Sequence, residues 1–248
     1  MKNIGGMNIQ TLNNVNNKVS DNKIEVNELG SKPYFYELIH LGNNSKYAID
    51  KSIRCCVYIY DCEYASIEIN GKIINKQECF LGNVKSLEIT SIKKATILIA
   101  YSIKNVLENS YKIFSESKAK KVEKPWGYEI WLTGEPSELF AFKRIYIKSG
   151  NKTSLQYHKV KRETNFIIDG NAILSYDKKG KYNDGEEFQI SNLELLAPFI
   201  VDVFPNTIHR LEAVSDLMLL EVSTPELDDV IRLQDDSGRT HGRVNDEH

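Results

Sequence analysis

The stretch Gly150-Asn-Lys-Thr-Ser-Leu-Gln156-Tyr-His158-Lys-Val-Lys-Arg-Glu163-Thr-Asn-Phe-Ile-Ile-Asp-Gly170 decides the reading of the fold. Gln156 and His158 stand two residues apart, so on a strand they face the same side. Glu163 lies across a short turn and opens a run of strand formers, which Gly170 closes at a second turn. A further histidine, His209, opens the segment His-Arg-Leu-Glu-Ala after the turn Phe204-Pro205-Asn206. Two imidazoles, one carboxylate and one amide oxygen on inward strand faces make a mixed nitrogen and oxygen site for one divalent metal. Zinc heads the candidates, and manganese, iron, cobalt and nickel suit the same donors.

Around this stretch the C-terminal half is strand-rich. FAFKRIYIK, SLQYHK, TNFIIDG, AILSYD, EEFQIS, LELLAP, IVDVFP, HRLEA and LMLLEVS follow one another with tight turns. Short strands separated by frequent turns favour an antiparallel barrel or jelly roll over a parallel α/β sheet. The same texture runs from about 25 to 102, in RCCVYIYD, ASIEING, KIINKQECF, SLEITS and ATILIAYS. Asn70-Gly71 between two of these segments predicts a hairpin, because a type I′ turn needs positive φ at both central residues. A second, smaller β-sandwich is therefore expected in the N-terminal half.

The expected boundaries are a loosely attached Asn-rich leader over 1–24, a β-sandwich over 25–102, a charged linker with one helix over 103–124, the metal-binding domain over 125–240 and a disordered tail over 241–248. The tail charges Asp228, Asp229, Asp235 and Asp236 read as a solvated helix face. Trp126 reads as a core aromatic and His40 as a satisfied, partly buried histidine. His241 and His248 fall in the polar C-terminus.

Composition narrows the class. The 248 residues are 41% hydrophobic and 27% charged, with a net charge of -2. That balance argues against a nucleic-acid partner or an anionic membrane surface. No run approaches the roughly 18 apolar residues of a membrane helix, and the polar N-terminus lacks the apolar stretch of a secretory signal. A soluble cytoplasmic protein is expected. Cys55, Cys56, Cys62 and Cys79 show no metal-binding spacing and read as small core residues.

The order Gly150, Gln156, His158, Glu163, Gly170 and a distant His209 resembles the two motifs of the cupin superfamily, with Gln156 where many cupins carry a first histidine. The second motif matches only in His209, since Phe204 and Asn206 stand where the family has proline and glycine. Further blocks resemble one branch, the type II mannose-6-phosphate isomerase cupin domain, over about 123–239. They are Lys124-Pro-Trp-Gly-Tyr-Glu129, Phe142-Lys-Arg-Ile-Tyr-Ile-Lys148, Ser154-Leu-Gln-Tyr-His158, Leu220-Glu-Val-Ser-Thr-Pro-Glu226 and Asp229-Val-Ile-Arg-Leu-Gln-Asp-Asp-Ser-Gly-Arg239. After the ligand glutamate that branch has His-Trp, whereas this chain has Thr164-Asn165.

The resemblance implies a cupin β-barrel in the C-terminal half and a homodimer; it does not extend to the N-terminal half, whose similar strand texture reads as a degenerate cupin-like sandwich, one half of a duplicated architecture. It implies a metal-dependent isomerase interconverting mannose 6-phosphate and fructose 6-phosphate. The alternatives are an isomerase or epimerase acting on another sugar or nucleotide-sugar in polysaccharide assembly, and a non-catalytic sugar-binding cupin. A cation must hold the phosphate, and arginine suits it through its two-pronged guanidinium. Arg232 is the first candidate, followed by Arg239, Lys143, Arg144 and Lys161, with Tyr157 as a further substrate contact. Lys143, Ile145 and Ile147 share one strand face and Arg144, Tyr146 and Lys148 the other, and periodicity leaves open which faces inward. Glu221 or Asp235 would serve as the base.

Overall fold

The computed structural model describes residues 2–11, 34–134 and 139–242. The chain divides into two compact units. One comprises Met1–Asn13, Lys121–Trp131 and Ala141–His248; the other comprises Asn14–Lys120 and Leu132–Phe140. No helix among the described residues is long and apolar enough to cross a membrane.

The second unit is a β-sandwich. Its five-stranded sheet runs Ser110–Ser115, Glu78–Val84, Ile53–Cys62, Ala95–Ile103, Phe35–Leu41, and its four-stranded sheet runs Ser45–Ile49, Leu87–Ser91, Ile67–Ile69, Lys72–Ile74. Inward residues alternate along Ile53–Cys62: Ile53, Cys55, Val57 and Ile59 join Phe80, Ile97 and Ile99 in the core. Period-two burial of this kind is what sets strand register. Asn70 and Gly71 both have positive φ, 47° and 75°, and they close the two-residue hairpin in which Ile69 pairs with Lys72. Cys55, Cys56 and Cys79 are buried and all four cysteines are free thiols. His40 is more exposed than its apolar neighbours suggested, and its Nδ1 meets the Thr96 hydroxyl at 3.1 Å.

The first unit packs an eight-stranded sheet against a five-stranded one. The former runs Lys2–Ile4, Met7–Thr11, Phe199–Val203, Glu163–Asp169, Leu217–Ser223, Ala141–Ile147, Gly127–Trp131, Lys120–Lys124. The latter runs Ile190–Leu196, Asn171–Lys181, Thr207–Ala213, Leu155–Tyr157, Ile231–Gln234. Between them Ile145, Ile147, Ile167, Leu174, Val201, Leu211 and Leu219 form an apolar core, joined by Trp126 as expected.

Three expectations change. Residues 2–11 are not a loose leader: Met7–Thr11 pairs with Phe199–Val203, and Met7 and Ile9 enter the core. The alternation Met7-Asn8-Ile9-Gln10 supplies one apolar face, which the surrounding asparagines obscured. The rest of the expected leader, through residue 24, lies outside the described residues. The charged segment 103–124 holds strands Ser110–Ser115 and Lys120–Lys124, with only a one-turn 3-10 helix at Glu116–Lys118. Cross-strand pairing of Ser110–Ser115 with Glu78–Val84 overrides its helix-compatible composition. Finally, His241 is anchored, since its Nδ1 accepts the Arg232 backbone N–H at 3.1 Å. Residues 243–248, with His248, lie outside the described residues.

Candidate metal centre

His209 lies on Thr207–Ala213, directly in register with Gln156 on Leu155–Tyr157. His158 follows that short strand, and Glu163 begins the strand Glu163–Asp169 of the facing sheet. The barrel therefore gathers residues from both sheets. His209 Nε2 stands 3.2 Å from Glu163 Oε1, and His158 Nε2 stands 3.4 Å from Glu163 Oε2. One ligand atom from each of the three residues falls within 4.8 Å of the others, and all three side chains are buried.

The tautomers follow from the partners of the other ring nitrogens. His209 Nδ1 faces the Thr207 carbonyl at 3.0 Å, and His158 Nδ1 makes a very short contact to the Asp229 carbonyl. A carbonyl only accepts, so each Nδ1 carries the proton and each Nε2 turns a lone pair toward Glu163. Burial, with Lys161 nearby, pulls the His158 pKa down against the pull of Glu163, so the ring is neutral at pH 7. Two lone pairs thus face a carboxylate, and the buried His158 Nε2 has no hydrogen-bond partner. Acceptors in that array repel one another unless a cation lies among them. The donor set fits a divalent ion of the nitrogen and oxygen class.

Gln156 reaches the same cluster by its other end. Its Oε1 accepts the Ser154 hydroxyl at 2.6 Å, and its Nε2 lies 3.5 Å from His209 Nε2. In this arrangement its nitrogen faces the histidine. Ligation through oxygen requires the amide to turn over and release Ser154.

Beside the triad runs a row of inward side chains across four strands. Trp131 pairs with Lys143, Lys143 with Glu221, and Glu221 with Asn165. Residues directly opposite in an antiparallel ladder share a face, so the row forms one wall of the cavity. Charges alternate along it. Lys143 Nζ lies 3.1 Å from Glu129 Oε2 and 4.0 Å from Glu221 Oε1. Lys161 Nζ lies 3.2 Å from Glu221 Oε1 and 2.5 Å from Glu163 Oε2. Burial alone would raise the Glu163 pKa, but the Lys161 ammonium beside it holds it well below the usual carboxylate range. Burial opposes the Lys161 ammonium, and Glu163 and Glu221 more than compensate, raising its pKa. Burial likewise works against Glu129. Lys143, Lys124 and a hydrogen bond from the Trp131 indole outweigh it and bring the pKa down to about 2.

The cavity measures about 120 Å³. Of the residues predicted for the site, Gln156, Glu163, His209, Lys143, Lys161, Glu221, Arg232 and Arg239 line it. The inward face of Ala141–Ile147 carries Lys143, Ile145 and Ile147. Arg144 is on the opposite face, and Lys148 is exposed beyond the strand.

Several predicted roles are corrected. Tyr157 is not in the cavity wall: as the strand neighbour of Gln156 it points the other way and packs with Leu155, Tyr182 and Ile208. Arg232 lines the cavity, but its Nη1 donates to the carbonyls of Thr240 and Gly242, and its Nε lies 3.5 Å from Asp235. Its guanidinium fastens the tail and is not held ready for a phosphate. Asp235 is taken up by Arg239 at 2.7 Å and by Arg232, and it does not line the cavity. The tail charges do not form a helix face: Ile231–Gln234 is a strand, and Asp229 accepts backbone N–H groups of 159–161.

Glu129, Trp131, Lys124 and Asn165 also line the cavity and were not singled out from sequence. Glu129 and Trp131 stand two apart in Gly-Tyr-Glu-Ile-Trp, so alternation carried the signal for that pair. Asn165 carried one as well, two residues beyond Glu163. Lys124 carried none, because only the folded barrel turns it toward the cavity.

No known family's sequence profile matches the chain, and no curated protein matches it. Solved structures do. Protein Ylba from E. coli shares 10% identity at a TM-score of 0.63, covering 90% of this chain and 93% of that one. The formate complex of Lactobacillus farciminis oxalate decarboxylase shares 11% at 0.57, covering 88% and 90%. Salicylate 1,2-dioxygenase from Pseudaminobacter salicylatoxidans shares 9% at 0.55, covering 77% and 70%. At these identities the likeness is one of architecture, and the architecture shared with these proteins is the cupin fold.

Proposed function

We propose that this protein is a metal-dependent enzyme that interconverts an aldose phosphate and a ketose phosphate, with mannose 6-phosphate and fructose 6-phosphate as the first pair to test. The observation that carries this reading is Glu221. It is a buried carboxylate on the cavity wall, next to the triad but outside it, with its Oε1 3.2 Å from Lys161 Nζ and 4.0 Å from Lys143 Nζ. A carboxylate so placed can move a proton between neighbouring carbons of a bound sugar. The two ammonium groups beside it can hold the negative charge that develops on the substrate oxygens.

His158, Glu163 and His209, with Gln156 at their side, would hold the divalent ion. Bound there, it would act as a Lewis acid toward the substrate's carbonyl and hydroxyl oxygens. The cavity wall favours an anion: Lys124, Lys143, Lys161, Arg232 and Arg239 outnumber Glu129, Glu163 and Glu221 by two charges. Arg232 is engaged by the tail and Arg239 by Asp235, so a phosphate at this rim would compete with those partners. A cavity of about 120 Å³ is close to the roughly 150 Å³ that encloses a benzene. It suits the reacting end of a sugar chain, with the phosphate toward the cationic rim. The sugar-phosphate assignment itself rests on the sequence blocks that flank the triad.

The cavity's size also favours a second reading, a small carboxylic acid as substrate, the class handled by oxalate decarboxylases of the same fold. One set of measurements separates the two. The purified protein is assayed for metal content, for fructose 6-phosphate formed from mannose 6-phosphate, and for carbon dioxide released from oxalate, with and without chelator. Chelator-sensitive isomerisation supports the first reading. Chelator-sensitive release from oxalate supports the second. No turnover of either substrate at full metal occupancy overturns both.

A further inference from the structure

We propose that Asp229 is a positioning residue for the metal ligands, tying the turn that carries His158 and Glu163 to the C-terminal strand. The inference rests on the reading of His158, Glu163 and His209 as a metal site.

The geometry is concentrated on one residue. Asp229 Oδ1 accepts the Lys159 backbone N–H at 3.0 Å, and Oδ2 accepts those of Val160 and Lys161 at 2.6 and 2.8 Å. These three N–H groups are consecutive and belong to the turn between the two ligands. Successive backbone N–H groups form a concave nest for an anion, and here the anion comes from the same chain, 68 to 70 residues away in sequence. The main chain of Asp229 completes the connection, because its carbonyl accepts the His158 Nδ1 proton. That bond fixes the tautomer that turns Nε2 toward Glu163.

Asp229 is itself held in place. Two residues on, Ile231–Gln234 joins the sheet beside Leu155–Tyr157, with Arg232 opposite Gln156. The Gly242 N–H returns to the Val230 carbonyl at 2.8 Å. A fixed strand on one side and a ligand-bearing turn on the other leave Asp229 as the joint between them. Lys161, whose ammonium lies against Glu163 and Glu221, sits on the same clasped turn.

The test compares wild type with Asp229→Asn and Asp229→Ala. Asparagine keeps one accepting oxygen, which can serve Val160 and Lys161, and alanine keeps none. Mn²⁺ affinity is measured by electron paramagnetic resonance titration, and the His158 tautomer by nitrogen-15 NMR of the metal-free protein. We expect Mn²⁺ affinity to fall by roughly 10- to 100-fold in Asp229→Ala and by less in Asp229→Asn. We also expect the His158 signals to move from one fixed tautomer to an average. If Asp229→Ala does not fold, the same shifts in Asp229→Asn decide. Unchanged affinity and an unchanged tautomer overturn the role of Asp229 and leave the metal reading standing. Failure of wild type to bind Mn²⁺ or any other divalent ion overturns the metal reading. The NMR comparison then decides whether Asp229 orients His158: a lost tautomer preference keeps that role, and a retained one ends it.

Discussion

Gln156 and His209 face one another in register across two antiparallel strands, and their side chains meet 3.5 Å apart beside Glu163. The glutamine thus borders the triad from a rigid position. Gln156→Ala should weaken divalent-metal binding by roughly tenfold or more, the size expected when a group orienting a ligand is lost. Gln156→His places an imidazole on the same inward face and should recover that loss. Metal titration of both variants checks the pair of outcomes. Equal affinity in Gln156→Ala and wild type would remove Gln156 from the site.

Glu129 gives a stability prediction with a defined pH window. Its pKa falls from an ordinary 4.5 to about 2 in the folded protein. A depressed carboxylate pKa contributes stability above the unfolded value and loses it as pH falls toward the folded one. The shift corresponds to something on the order of 3 kcal/mol. Wild type should therefore be more stable than Glu129→Gln at pH 7. That advantage should hold down to about pH 4.5 and shrink below it. Urea midpoints of both proteins between pH 7 and 3 measure the difference.

Arg232 separates two roles. As a fastener of the tail, its loss frees the carbonyls of Thr240 and Gly242 and loosens the wall beside Gln156. Arg232→Ala should lower the melting temperature and weaken metal binding. A hydrogen bond to a charged group contributes about 1.5–3 kcal/mol, and the exposure of the Thr240 contact puts the loss at the low end of that range. A variant of unchanged stability and metal affinity, altered only in KM for a phosphorylated substrate, would restore Arg232 as a phosphate clamp.

Gly170 tests the barrel independently of its chemistry. It has φ of +97°, and a Cβ there would lie 2.3 Å from the Asp216 carbonyl oxygen. That atom belongs to backbone and cannot move aside cheaply. Gly170→Ala should destabilise the protein by about 1–3 kcal/mol from the strained conformation, with the clash added. Denaturant unfolding measures it. A change within about 0.5 kcal/mol would show that the turn can rearrange.

The sequence by itself determined the β architecture, the hairpin at Asn70-Gly71 and the local pair His158 and Glu163, whereas His209 joins them only through strand pairing. All three are written in local terms. Alternation of period two, paired positive φ at Asn-Gly and the spacing of Gln156, His158 and Glu163 act over a few residues, and a strand's geometry converts them directly into faces. Residues 2–11 escaped notice because a five-residue alternation is weak until a partner strand receives it. Composition misled in 103–124 for the related reason that pairing with Glu78–Val84, not propensity, set its state. What only tertiary structure decided is which side chains meet from distant strands. Trp131, Lys143, Glu221 and Asn165 become one wall through ladder register. Asp229 clasps the turn between two triad residues about 70 positions upstream. Arg232, which sequence placed on a phosphate, is spent on the tail's own carbonyls. Strand order and register fix these meetings, and they depend on closing the whole barrel around its apolar core, which no short stretch of sequence encodes.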